Sequence, residues 1–326
     1  MSGFGSKAER FGALAGILAC FATSCVWPQE FPTRPVRLIV PFSPGGGTDI
    51  TARAIAQKLS ERWGRQVVVD NRGGASGNIG AEIVARAAPD GYTLLVITAT
   101  HTVYAALQAR GSFDLLADLV PLSQVTSLPY LLLISSSLPA RSIKELVALS
   151  KTKPGGVTYG SSGVGSLGHL AGALLASSTS ANLSYIPYKG GAAALADVMA
   201  GQIDMAFPTI LQAAHVRSGR LRALAVTGTA RSSALPEIPT MIEAGVPGYE
   251  INQWNGIVAP RGTPPALAAR LSSEVNAVLA APDVKTRLAT DGSEAVGTTP
   301  QQFSAHLRAE IGKWKKLSKE AGIRIE

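Results

Sequence analysis

The sequence predicts an α/β fold with mainly parallel sheets in two domains. Three observations carry this. Short, continuously apolar runs such as "VRLIVPF" and "YTLLVIT" read as buried parallel strands. Helix-period segments such as "ITARAIAQKLSERWG" alternate with them almost without interruption. No flexible linker separates the two series of elements, so extended segments must cross directly between two cores.

The first series predicts strand 36–42, helix 50–64 closing at Gly64, strand 66–71, helix 79–89 and strand 92–98. The second predicts strand 130–135, helix 142–151, strand 157–160, helix 166–176 and strand 184–188, then helix 192–201, strand 204–207, helix 210–219 and strand 221–228. Strand 255–260 and helical stretches 265–281 and 300–322 follow. The long extended segments "LVPLSQVTSLPYLLLIS" and "GYEINQWNGIVAP" are the crossings. They put 30–128 with 252–326 in one domain and insert 129–251 as the other. A hinge near Thr126 and Asn252 would then set the domains face to face across a cleft.

With 326 residues, 46% hydrophobic and 16% charged, the chain is long enough for more than one core and is not disordered. Its first residues read differently. Lys7 and Arg10 precede the apolar run "FGALAGILACFA" and the small residues Ala22, Thr23 and Ser24. This predicts a cleaved secretory signal over 1–26. A membrane anchor needs ~20 mainly apolar residues, and this run meets Thr23, Ser24, Pro28 and Gln29. Cys20 and Cys25 lie in the same segment, and neither has the preceding leucine that a lipoprotein site prefers. The exported part is therefore expected to carry no disulfide and no thiol chemistry. The net charge of +8 favours anions, but the basic residues are not clustered. The densest run, "KWKKLSKE", is a solvated helix face, so no nucleic-acid partner is expected.

Three glycine-rich loops join a strand to a helix: "SPGGGTD" (43–49), "NRGGASGN" (71–78) and "GSSGVGSLGH" (160–169). A loop of this kind brings bare backbone N–H groups to a ligand, and the helix behind it adds its first-turn donors and positive dipole end. The expected ligand is an anion, or a carboxylate oxygen. The other reading is a tight turn in which glycine supplies positive φ. Repetition at the carboxyl ends of parallel strands favours a ligand site.

Nucleotide, hydrolytic and metal chemistries are poorly represented. The phosphate-loop pattern is absent, and Asp49 after Gly47 and Thr48 would repel phosphate. "GVGSLG" matches G-x-G-x-x-G, but Tyr188, Lys189 and Gly190 stand where the acidic residue ~20 positions on is needed. No G-x-S-x-G elbow surrounds Ser161, Ser162 or Ser166. Ser166 and His169 stand three apart, as a nucleophile and base could on a helical turn. A capping Ser with a cleft-facing His is the simpler reading. The four histidines, His101, His169, His215 and His306, are scattered, so no metal or cofactor is expected. His215 and His306 read as surface residues, and His101 as possible cleft lining.

The segments "PTRPVRLIVPFSPGGGTDITAR", "VVVDNRGGASGNIGAEIVARAAPDGYTLL", "YGSSGVGSLGHLAG", "YIPYKGGAAALADVMAGQIDMAF" and "LPEIPTMIEAGVPGYE" together resemble the substrate-binding proteins of tripartite tricarboxylate transporters, the Bug receptors. The resemblance spans essentially the whole chain after the signal. It implies a two-domain periplasmic binding protein fold of type II, a flytrap that is not an enzyme. It implies, as ligand, a small organic acid: a di- or tricarboxylate, an acidic amino acid or an aromatic acid. It also implies delivery to a permease of one large and one small integral membrane subunit. A monomer is expected. Three departures stand out: Ser76 where glycine is common, "ATHTVYAAL" without the frequent Asn-Pro, and Ala194 for a frequent proline.

The expected ligand-binding set is Phe42, Ser43, Gly45, Gly46, Gly47, Thr48 and Asp49 on one wall, with Ser76 and Thr100. Gly163, Gly165, Ser166, His169 and Thr209 form the other. Arg72 and Lys189 are further cations near these loops. The competing function is a secreted hydrolase acting on a carboxylate or ester through Ser166 and His169.

Overall fold

The computed structural model describes residues 31–107, 113–290 and 292–323. The expected signal segment lies outside the described residues. Strands β1 (Val36–Val40), β2 (Val67–Asn71) and β3 (Thr93–Thr98) pair in parallel with β1 central. Helices α1 (Gly47–Trp63) and α2 (Asn78–Ala85) connect them, and α3 (Ala99–Leu107) continues from β3 without a loop. After β4 (Leu119–Pro129) the chain enters a second unit: β5 (Leu131–Ser135), α4 (Ile143–Thr152), β6 (Val157–Ser161), α5 (Leu167–Thr179), β7 (Leu183–Pro187), α6 (Gly191–Met199), β8 (Met205–Ala206), α7 (Ala213–Arg217) and β9 (Leu221–Val226). It returns along β10 (Asn252–Pro260) and ends with α8 (Pro265–Ala280), α9 (Pro282–Thr290), β11 (Glu294–Ala295) and α10 (Pro300–Ala321).

There are two sheets, ordered β11-β4-β10-β3-β1-β2 and β7-β6-β8-β5-β9. The expectation of mainly parallel sheets needs correction. β2-β1-β3 and β7-β6-β8 are parallel, but β10 pairs antiparallel with both β3 and β4, and β5 pairs antiparallel with both β8 and β9. The cause is the double crossing. A strand leaving a sheet and the strand returning to it run in opposite directions, and they pair side by side without a crossover helix.

Local chemistry sets the helix ends. Gly64 closes α1 in the left-handed region at φ 61. The Ser142 hydroxyl accepts from the Glu145 N–H at 3.1 Å and starts α4. Thr299 and Gln302 form a reciprocal capping box at the start of α10.

Helix α10 belongs to both halves. Its Phe303 and Trp314 are fully buried, and Phe303 meets Trp254 of β10 edge-on at 5.8 Å. His306, expected at the surface, instead packs edge-on against Trp254 at 5.1 Å. The helix phase that points Phe303 inward carries the residue three positions later to the same side. Farther along, Glu320 accepts from the Ser177 hydroxyl of α5 at 3.1 Å. No helix among the described residues is long and apolar enough to cross a membrane.

Gly256 of β10 lies directly against the Phe303 ring, where an added Cβ has no room. Gly256→Ala is expected to lower stability by ~1–3 kcal/mol through overpacking. Urea unfolding measures this, and an unchanged midpoint would mean that Phe303 has somewhere to move.

Candidate functional site

The loops at the carboxyl ends of the parallel strands face one another across a cleft of ≈ 630 Å³. Ser76, Thr100 and Tyr104 of the first unit line one side, and Ser162, Gly165 and Ser166 the other. Tyr130 and Gln253, one on each crossing, lie between them. Among the described residues, no Asp, Glu, Lys or Arg side chain lines this cleft.

Ser166 is the N-cap of α5, and its hydroxyl accepts from the His169 backbone N–H at 3.3 Å. The same hydroxyl donates to the Gly163 carbonyl at 2.7 Å and lies 2.8 Å from the Ser161 hydroxyl, which in turn sits 2.9 Å from the Tyr185 hydroxyl. The Gly163 carbonyl thus shapes the turn, and Gly165 occupies the left-handed region at φ 77. The first turn of α5 holds no acidic residue, so its N–H groups and dipole are unopposed by a protein charge.

His169 does not face the cleft. Its ring stacks on Tyr185 at 4.0 Å, and its Nδ1 accepts the Gly165 N–H at 3.1 Å, which leaves the proton on Nε2. It lines a separate pocket behind α5 with Tyr159, Tyr185 and Glu320. Burial lowers its pKa. The Ser166 hydroxyl and the His169 imidazole share no hydrogen bond among the described residues, so a nucleophile–base pair is not assembled. The polar groups near His169 orient the loop; they do not activate a serine.

The first glycine loop is organised by a carboxylate. Asp49 is only 3% exposed in the first turn of α1. It accepts from the Gly45 N–H at 2.9 Å, from Arg53 Nε at 2.9 Å and from Asn71 Nδ2 at 2.9 Å. Asn71 also donates to the Phe42 carbonyl at 3.0 Å, which ties this loop to the end of β2. Burial alone would raise the Asp49 pKa. The bonds from Arg53, Gly45 and Asn71 outweigh it and take the value down to about 2. The Gly45 N–H is therefore spent within the loop, and the start of α1 already has its anion.

Ser43 to Gly47 are exposed at the same strand edge, outside the lining of the cleft itself. A Cβ at Gly45 or Gly47 would meet no protein atom within 4 Å, and one at Gly46 only the Ser43 carbonyl at 3.8 Å. The glycines leave this backbone bare toward open space; they do not fit it against the protein. Gly46 has an ordinary φ of −78, whereas Gly45 needs its φ of +83.

The second loop has a backbone at position 76 that would suit glycine. Ala75 and Ser76 are both left-handed, at φ 46 and φ 56. Each costs of order 1 kcal/mol relative to glycine, and both line the cleft. Thr100 lines it too, but His101 is buried beneath, with Phe42 at 6.2 Å and its Nδ1 accepting the Thr98 N–H at 3.1 Å. Burial drives the His101 pKa to about 4, so the ring is neutral at neutral pH. Thr209 lies beyond Tyr130, in an adjoining cavity. Arg72 pairs with Asp70 at 3.0 Å, and Lys189 is exposed. Tyr104, whose place in pocket or core the sequence left open, lines the cleft, and Tyr130 and Gln253 line it without having been expected to. A tyrosine on an apolar strand looks like core until the crossing is placed.

A carboxylate held below its unfolded pKa stabilises the fold above about pH 4, and that stability disappears as pH falls toward 2. Asp49→Asn is accordingly expected to cost on the order of 2 kcal/mol at pH 7. Urea titrations at pH 7 and pH 2.5 should show the gap between the two proteins shrinking with acidity. A gap independent of pH would assign Asp49 a purely steric role.

The chain matches the model of the tripartite tricarboxylate transporter family receptor over residues 51–323. It is 36% identical to the protein BugT of Bordetella pertussis (strain Tohama I), over 97% of this chain and 96% of that one. Among solved structures, Rpa4515 of R. palustris with adipate superposes with a TM-score of 0.75 at 38% identity, covering 90% of this chain and 99% of that one. MatC (Rpa3494) from Rhodopseudomonas palustris with bound malate gives a TM-score of 0.71 at 30% identity, covering 88% and 99%. The family model spans well over half of the chain and the BugT likeness nearly all of it, and on that evidence the chain belongs to the tripartite tricarboxylate transporter receptor family, whose members include the Bug proteins.

Proposed function

We propose that this protein is a periplasmic receptor that captures a small organic carboxylate between two domains and hands it to a membrane permease of one large and one small integral subunit. The observation that carries this reading is the cleft. It has side-chain hydroxyls on both walls, an α5 N-terminus with no acidic residue in its first turn and, among the described residues, no charged side chain. Such a site stabilises a carboxylate by oriented dipoles and releases it without breaking an ion pair. The adipate and malate of the two relatives are ligands of this chemical kind.

The working division is 30–128 with 252–326 as one domain and 129–251 as the other, hinged where β4 hands over to β5 and where β10 begins. Gly46, Gly47 and Thr48 supply donors from the first domain, and the first turn of α5, shaped by Gly165 and Ser166, supplies them from the second. Phe42, Ser43 and Ser76 flank the first set. The protein acts as a monomeric binder, exported by a cleaved signal, and turns over no substrate.

Gly46→Val tests the glycine loop cleanly, because neither φ nor a protein neighbour opposes the new side chain. It is expected to fold normally and to abolish carboxylate binding. Thr48→Ala removes one hydrogen bond to a charged group and should weaken binding roughly tenfold to a hundredfold. Ser166→Ala unties the α5 cap from the Gly163 carbonyl and should weaken binding by up to about tenfold through lost preorganisation. Calorimetry decides; wild-type affinity in all three would move the carboxylate elsewhere.

Capture should also draw the domains together. Small-angle scattering with saturating ligand is expected to give a smaller radius of gyration. An unchanged radius would remove the hinge from the mechanism.

A further inference from the structure

The cleft does not end at Tyr130. A second cavity of ≈ 440 Å³ opens from it, and the two share Tyr130, Ser162 and Leu167 as walls. Beyond that wall one side of the lining is apolar, while Ser161, Thr209 and Gln212 add neutral polar groups. Leu195 and Met199 of α6 face it together with Phe207, just after β8. Alanines at 192, 194 and 206 keep it wide. Met199 is 38% exposed, an unusual place for a large apolar side chain unless something covers it. Among the described residues, no Asp, Glu, Lys or Arg side chain lines this annex, and half-buried His215 is the one imidazole there.

We propose that the annex takes the apolar tail of a monocarboxylic acid whose head group lies at the start of α5. The ligand class is then a monoacid with an extended hydrocarbon chain, in contrast to the diacids adipate and malate of the two relatives. The inference rests on the receptor reading above and narrows it.

The argument is one of matched environments. The carboxylate end finds the Ser166 cap, the Gly165 turn and a helix dipole with no competing acid. The other end, threading past Tyr130, meets Leu195, Met199 and Phe207. A second carboxylate there would lose its water with no cation to replace it, which is costly. A methylene there leaves water for an apolar wall, which is favourable. The Tyr130 backbone is held where the two spaces join, because its N–H donates to the Thr227 hydroxyl at 2.8 Å.

Calorimetry with matched acids at pH 8 tests this directly, using butyrate, hexanoate and octanoate against adipate and octanedioate. Affinity is expected to rise roughly fourfold per added methylene in the monoacid series until the annex is filled. Hexanoate and octanoate should each bind at least about tenfold tighter than the diacid of equal length. Ala192 is exposed at the first turn of α6, so Ala192→Phe should fold and shorten the annex. It is expected to weaken octanoate by more than about tenfold while leaving butyrate nearly unchanged. His215→Gln should keep the same ranking. Diacids binding as tightly as their monoacids, a ranking lost in His215→Gln, or an octanoate affinity indifferent to Ala192→Phe would overturn the annex while leaving the receptor reading intact. Failure of every acid in both series would overturn both.

Discussion

The antiparallel pairing of β4 with β10 is the constraint on which the rest depends. It runs from the Leu119–Pro260 pair to the Pro129–Asn252 pair, the two places where the chain leaves and re-enters the first sheet. At the far side of that boundary a single hydroxyl holds both segments. Thr227 accepts from the Tyr130 N–H at 2.8 Å and donates to the Ile251 carbonyl at 2.5 Å, with no solvent exposure. Within the pairing, the Asn255 amide donates to the Thr126 hydroxyl at 2.9 Å. The two crossings therefore cannot drift apart, and the strand-end loops of the two sheets are held facing each other. Without that pairing the glycine loops would be isolated turns.

The two most glycine-rich loops look equivalent in sequence but are chemically distinct. At α1 the protein supplies its own anion, Asp49, buried and bonded by the Gly45 N–H, Arg53 and Asn71. At α5 no acid stands in the first turn, and the cap is a neutral serine. One helix start is spent on holding its loop rigid, and the other keeps its dipole for a ligand. This division of labour suits a site that must be preorganised on one wall and attractive on the other.

Much of this was legible in the sequence. Continuous apolar strands, helix-period segments and missing linkers give the alternation and both crossings, because each has a strong local signature. Ser166 as a cap follows from its place before a helical run. What was not legible depends on contacts between distant segments. α9 has only two buried residues, Val284 and Leu288, so its periodicity is faint, and α3 starts on the last residue of β3 with no turn residues to mark it. The antiparallel partners of the crossings appear only once the double passage is built. His306 and His169 look like surface or cleft residues because a histidine carries no hydrophobic signal. Their burial comes from Trp254 and Phe303 in one case and from Tyr185 in the other.

The charge-free lining of the cleft separates two properties that many binding proteins couple. The described residues that line the cleft carry none of the chain's formal net charge of +8. On the proposed reading, long-range attraction for an acid comes from charge elsewhere on the protein, and ions in the medium screen it within about 10 Å at 0.1 M salt. Retention then comes from short dipolar contacts inside, which screening barely reaches. Ionic strength should thus govern how often an acid arrives and have little influence on how long it stays. In the fluctuating salinity of a cell envelope, such a receptor would keep its residence time constant while its encounter rate follows the medium.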